Sequence, residues 1–232
     1  MRFVKDARVW LFAATFLTVS FAGASFSGVM DYHKPLTIFY GLPFAVSLLS
    51  ILLAHEVGHY VAARWWGTEV DGPYFIPVPL FLGTFGAFIR IKSSVPNRTA
   101  LCDIGASGPW VGIAATLVIW LLIYPFRLEL PQLLVYQVRF AVFVGFLVTV
   151  INLFPIGSLD GGHLIYALFG GFGRNRVGYI MALSFLSTMV FVLVFKSAIS
   201  PLTFFILYLV GGGMRHPPTD DDAVPVDWKR KV

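Results

Sequence analysis

The chain has 232 residues and a formal net charge of +5, with 57% hydrophobic residues, only 12% charged residues and a mean hydropathy of +0.79. A water-soluble domain carries about 25% charged residues, so the composition excludes an ordinary soluble globule. The basic residues sit at the ends of apolar runs and not together on an aromatic-lined face, which excludes a nucleic-acid surface, and the single cysteine, Cys102, excludes an intramolecular disulfide.

Uncharged runs of about 18 residues or more are long enough to cross a bilayer. They cover 9–30, 36–54, 104–126, 140–159, 177–195 and 197–214. The expected architecture is an all-α polytopic membrane protein with about six transmembrane helices. The whole of 1–214 reads as one membrane-embedded domain whose core is 36–163.

Before the first run stand Arg2, Lys5 and Arg8. Ala22-Gly23-Ala24 resembles a signal-peptidase site, but the apolar run continues to Met30 and can span, so the first helix is expected to be retained. The second run ends at Ala54, and the next five residues are His55-Glu56-Val57-Gly58-His59. On a helix the two histidines at i and i+4 project from one face and can grip a single metal ion, while Glu56, about 100° round, is placed to act as a base. Ionisable residues among apolar flanks have no solvated face to occupy and mark a functional site. This is the arrangement of a zinc peptidase. The helix closes with Arg64-Trp65-Trp66-Gly67, a basic and aromatic interfacial ending.

From Gly67 to Asp103 the prolines Pro73, Pro77 and Pro79 and the glycines Gly83 and Gly86 exclude a membrane helix. The β-prone segment 85–92 predicts a small membrane-associated hairpin between the second and third spans. It is either a plain connector or an edge strand on which an extended peptide could pair; in the second case Phe85 and Gly86 are candidate substrate contacts. Pro96-Asn97-Arg98 marks a turn. The third span opens with Gly105-Ala-Ser-Gly-Pro-Trp-Val-Gly112, small residues suited to close packing against the metal-bearing helix.

The fourth span runs into Asn152-Leu-Phe-Pro-Ile-Gly-Ser-Leu-Asp-Gly-Gly-His163, where Pro155 and Gly157 break the helix. Irregular backbone at that depth belongs where it is buried in protein or lines a wet cavity. A catalytic zinc site needs three protein ligands and an open position. Asp160 is the natural third ligand beside His55 and His59, with His163 as a fallback, and Asn152 could donate a hydrogen bond to a substrate carbonyl. A loop over 169–178, two further spans and a polar, disordered tail over 215–232 complete the chain. Alternating six spans from a cytoplasmic amino terminus puts thirteen of the seventeen basic residues inside, Arg98 among them. The positive-inside rule then predicts cytoplasmic termini and a site opening toward the cytoplasm.

His55-Glu56-x-x-His59 followed by Asn152-x-x-Pro155-x-x-x-Leu159-Asp160-Gly161 resembles the site-2 protease family of intramembrane zinc metalloproteases, in a minimal form without PDZ or CBS domains. The stretch 81–90 and Gly108-Pro109 are similar to the family's smallest members, although Gly112 stands where many members show an asparagine. The resemblance implies one Zn2+ per chain held by His55, His59 and Asp160, with Glu56 as catalytic base. It also implies hydrolysis of peptide bonds in or near a transmembrane helix of a membrane-protein substrate, most simply in the cell (inner) membrane. Two other readings stay open at this point: a membrane-embedded metal transporter, and a zinc endopeptidase acting on the termini of lipidated proteins. Nothing in the sequence fixes an oligomeric state.

Overall fold

A computed structural model describes residues 7–154, 159–169, 219–221, 223 and 226. The expected fifth and sixth spans, and the Pro155–Gly157 break, lie outside the described residues. Within them the elements are α1 (Ala7–Phe26), a 3-10 helix (Pro35–Gly41) running into α2 (Leu42–Trp65), β1 (Val70–Pro77), β2 (Thr84–Ile91), α3 (Arg98–Ile123), α4 (Gln132–Asn152) and α5 (Asp160–Phe169). The fold is mostly helical with one small two-stranded sheet. Four of its helical stretches, 7–26, 35–65, 98–123 and 132–152, are long and apolar enough to cross a membrane.

Each boundary has a local cause. Pro43 sits in the first turn of α2, where its missing N–H leaves no intrahelical bond unmade. Asn97 caps α3, its side-chain carbonyl accepting from the Ala100 N–H at 2.9 Å. The helix α4 starts eight residues before the expected span at Phe140, because Arg139 does not interrupt it. Arg139 is exposed while Val135, Val138 and Ala141 are buried, so the charge lies on the outer face of a continuous helix.

α1, α2 and α4 enclose an apolar core of Val19, Ala22, Phe44, Ala45, Leu48, Leu52, Ala141 and Val144, with Phe75 reaching in from β1. The first two helices touch backbone to backbone: a Cβ on Gly41 would collide with the Ser20 carbonyl, and one on Gly23 would stand 2.7 Å from Phe44 Cβ. In lipid, where apolar burial drives no association between helices, such close packing is the main cohesive term.

The strands β1 and β2 pair antiparallel, Val70 opposite Ile91, Tyr74 opposite Phe88 and Phe75 opposite Ala87, as expected from the sequence. Two tethers fix the hairpin to α1. Thr18 Oγ1 donates to the Gly83 carbonyl at 2.6 Å in the hairpin turn, and Arg8 meets Asp71 at 3.1 Å, with Lys92 on the other Asp71 oxygen at 3.0 Å. The start of α1 and the hairpin following α2 therefore lie on the same side.

The sequence reading treats 215–232 as a disordered tail. The described residues of that stretch are instead held: the Asp220 and Asp221 N–H groups donate to Val95 O and Pro96 O, and Ser94 Oγ donates to Asp220 at 2.8 Å. Val226 is buried with Leu101, Cys102, Tyr166 and Ala167. Composition marked the segment polar, but Val226 and the backbone carbonyls of Val95 and Pro96 hold its described residues.

Candidate metal centre

Three elements converge on one buried point. α2 carries His55, Glu56 and His59, all under 8% exposed, α5 presents Asp160 as its first residue, and α3 packs beneath them. His55 Nε2 and His59 Nε2 are 3.1 Å apart, His55 Nε2 lies 3.1 Å from Asp160 Oδ2, and His59 Nε2 lies 3.1 Å from Asp160 Oδ1. Donors held at 2.0–2.2 Å by one tetrahedral ion stand about 3.3 Å from one another. With one donor atom from each residue the three lie within 4.8 Å of one another, close enough to share one ion, and the two Asp160 oxygens each face one imidazole.

The proton placement fits as well. His59 Nδ1–H donates to the Ile104 carbonyl of α3 at 2.7 Å, which fixes the tautomer and leaves the Nε2 lone pair directed at the cluster. Two imidazoles and a carboxylate, buried among apolar helices, are a donor set that suits zinc. Among the described residues this is the one group of three or more His, Cys, Asp or Glu side chains able to share an ion.

Glycines on α3 make the approach possible. Gly108 lies against the His59 ring, Gly112 against His55, and Gly105 against the start of α5. A Cβ at Gly108 would overlap the imidazole, and a Cβ on Gly58 of α2 would stand 2.7 Å from the Ser107 carbonyl. The small-residue run read from the sequence is therefore a seat for all three donors.

Glu56 is 7% exposed and lies near His59 and Asp160, with β2 packed against the helix that carries it. The hairpin thus lies over the acidic end of the site. His163, the fallback ligand, packs its Cβ toward Gly105 and is not in the donor group. Asn152 is the last residue of α4 and half-buried; Phe85 is 71% exposed, and Gly86 has φ +102° with open space where a Cβ would project. None of these three joins the donor cluster. Sequence reasoning missed the Ile104 carbonyl, since a main-chain group carries no signature in the residue type. It read Arg98 only as part of a turn and as a charge marking the inner side, whereas Arg98 is 2% exposed and donates to Ala167 O and Leu168 O of α5. A run of 98–102 that begins with Arg but continues Thr-Ala-Leu-Cys, all buried, was the available sign.

Comparison with known proteins agrees with this geometry. The "Probable zinc metalloprotease EGY1, chloroplastic" of Arabidopsis thaliana is 31% identical over 171 residues, covering 59% of this chain and 30% of that protein. The corresponding EGY2 of the same plant is 27% identical over 187 residues, 64% of this chain and 33% of that protein. The candidate zinc metalloprotease Rip3 of Mycobacterium tuberculosis is 30% identical over 149 residues, 60% of this chain and 36% of that protein. The chain spans about a third of the length of these curated relatives. The sequence model of Peptidase family M50 matches residues 43–132 and 128–195, more than half of the chain and a stretch that includes every donor of the cluster. With the buried donor cluster and the helices that carry it inside the matched region, the chain belongs to peptidase family M50.

Proposed function

We propose that the protein is an intramembrane zinc metalloprotease that hydrolyses peptide bonds in or near transmembrane helices of membrane-protein substrates. The observation that carries this reading is the buried triangle of His55, His59 and Asp160 with Glu56 beside it, set in helices fit to cross a membrane. The relatives named as zinc metalloproteases support the choice of metal.

When bound by His55, His59 and Asp160, zinc supplies a Lewis acid that brings the pKa of water to about 7 and polarises a peptide carbonyl. Glu56 takes the proton of the attacking water and returns it to the leaving amine as the C–N bond breaks, giving a new carboxyl terminus and a new amino terminus. The Ile104 carbonyl keeps His59 in the tautomer that leaves Nε2 unprotonated. The strand β2 packs against α2, the helix that carries Glu56, on the side where a substrate would approach.

A helical substrate must unwind to expose its carbonyls. An extended segment laid along the edge of β2 near Phe85 and Gly86 would be recognised through its backbone, whatever its sequence, and Asn152 would serve as a side-chain donor to it. The positive residues at the ends of the spans favour a site opening toward the cytoplasm, and the pairing of Arg8 with Asp71 supports antiparallel α1 and α2 in that orientation. Among the described residues no second group of metal-ligating side chains continues from the cluster along the spans, as a transport path would require.

The test is cleavage of a single-span reporter protein co-reconstituted with the full chain in liposomes, with products mapped by mass spectrometry. The wild type is expected to cut within or next to the reporter's apolar segment, and Glu56→Gln to retain zinc while losing hydrolysis by about 10²–10⁴-fold. A cut confined to a soluble tail, or full hydrolysis by Glu56→Gln, contradicts the reading.

A further inference from the structure

Among the described residues Arg98 is the largest fully buried side chain, and its guanidinium donates to main-chain carbonyls: Nε to Ala167 O at 2.8 Å and Nη2 to Leu168 O at 3.3 Å. Both carbonyls belong to α5, and a buried cation is stabilised by such carbonyl partners.

The opposite end of α5 is Asp160. Gly105 of α3 lies against it, since a Cβ on Gly105 would be 3.1 Å from His163 Cβ and 3.5 Å from Asp160 O. From Arg98 to Gly105 along α3, and from Asp160 to Ala167 along α5, the rise is about 10 Å in each case. The helix α5 therefore runs antiparallel along the first two turns of α3 and is fixed at both ends.

The two contacts do different things. A glycine face sets how close the helices come but offers no side chain to interlock, so it leaves sliding and rolling unopposed. The apolar cluster of Leu101, Cys102, Tyr166, Ala167 and Val226 adds cohesion without direction. The guanidinium fork is directional and defines the register. Those same turns of α3 carry the Ile104 carbonyl that holds His59.

We propose that Arg98 is a positioning residue for the metal centre: it sets the register of α5 on α3, and so the place of the Asp160 carboxylate relative to His55 and His59. The proposal rests on the reading of that cluster as a zinc site. Lysine is no equivalent, because a single ammonium cannot present two donors in a fixed fork.

The experiment compares the full wild-type chain with Arg98→Gln, Arg98→Lys and Arg127→Gln. Arg127 is a half-buried control whose Nη1 donates to the Tyr124 carbonyl beyond the far end of α3. Zinc affinity is read by competition with a chelator, and ligand geometry by the visible absorption of cobalt(II) added to saturation, which reports only folded, loaded sites. Arg98→Gln is expected to weaken zinc by about 10- to 100-fold and to change the cobalt spectrum, while Arg127→Gln changes neither. Wild-type affinity and spectrum in Arg98→Gln overturn the proposal. Should that variant not fold, a folded Arg98→Lys with an unchanged cobalt spectrum overturns it equally. A wild-type chain that binds no zinc contradicts the zinc reading itself, so the two failures are distinguishable.

Discussion

Gly108→Ala places a methyl group where the His59 imidazole lies, its Cβ meeting Nε2, Cε1 and Cδ2 of the ring. The overlap is roughly 1–2 Å inside the usual 3.5–4.0 Å contact between heavy atoms. Either His59 swings away or α2 and α3 separate by about that distance, and zinc ligands tolerate only about 0.2 Å. At Gly112 the same substitution is milder: the new Cβ stands 3.0 Å from His55 Nδ1 and 3.1 Å from Thr149 Oγ1, so the neighbours need to yield by only a few tenths of an ångström. Overpacking costs about 1–3 kcal/mol, which as lost metal affinity corresponds to about fivefold up to somewhat over a hundredfold. Gly108→Ala is expected at the upper end, near 100-fold, and Gly112→Ala at or below tenfold. Chelator competition on folded protein, with helical content checked by circular dichroism, measures both. Gly108→Ala binding zinc as tightly as wild type, or Gly112→Ala being the weaker of the two, refutes the seating of the donors on α3.

Other outcomes follow from the same geometry. A strong zinc chelator abolishes hydrolysis and added zinc restores it; activity that persists in the chelator at undetectable zinc contradicts the mechanism. Asn97→Ala removes the α3 cap and costs about 1 kcal/mol, lowering Tm while leaving zinc stoichiometry unchanged; a wild-type Tm shows that the cap carries no stability. Asp71, at the hairpin, is held below its ordinary carboxylate range chiefly by its bond with Lys92, helped by Tyr74. Because its folded pKa lies below the unfolded one, this stabilisation is present above the unfolded value and is lost as pH falls through the folded value. Protection of the β1 amides, taken relative to their intrinsic exchange rate, should therefore fall on acidification in wild type, and should be low in Asp71→Asn at neutral pH already; identical protection in the two proteins at neutral pH contradicts the tether.

Much of the site was legible because metal chemistry restricts residue types. His55 and His59 at helical spacing, Glu56 between them and Asp160 after a broken apolar run have few other uses among lipid-facing neighbours. The hairpin was legible from prolines and glycines that bar a helix over 67–103. What the sequence hid lies in main-chain groups and in the direction of charged side chains. Nothing about isoleucine at 104 announces that its carbonyl meets the His59 ring. Arg98 and Arg139 look alike as charges near apolar runs, yet one turns into the protein to meet α5 and the other faces out of a helix that continues past it. Charges at Asp103 and Arg139 bounded the uncharged runs, which is why α3 and α4 begin earlier than expected.

The most direct test of the account is zinc per chain in freshly purified wild type, Asp160→Ala and His163→Ala. The account predicts close to one zinc in wild type and His163→Ala and its loss in Asp160→Ala, because Asp160 and not His163 closes the triangle with His55 and His59. Full zinc in Asp160→Ala, or its loss in His163→Ala alone, contradicts the ligand set and with it the chemistry assigned to the site.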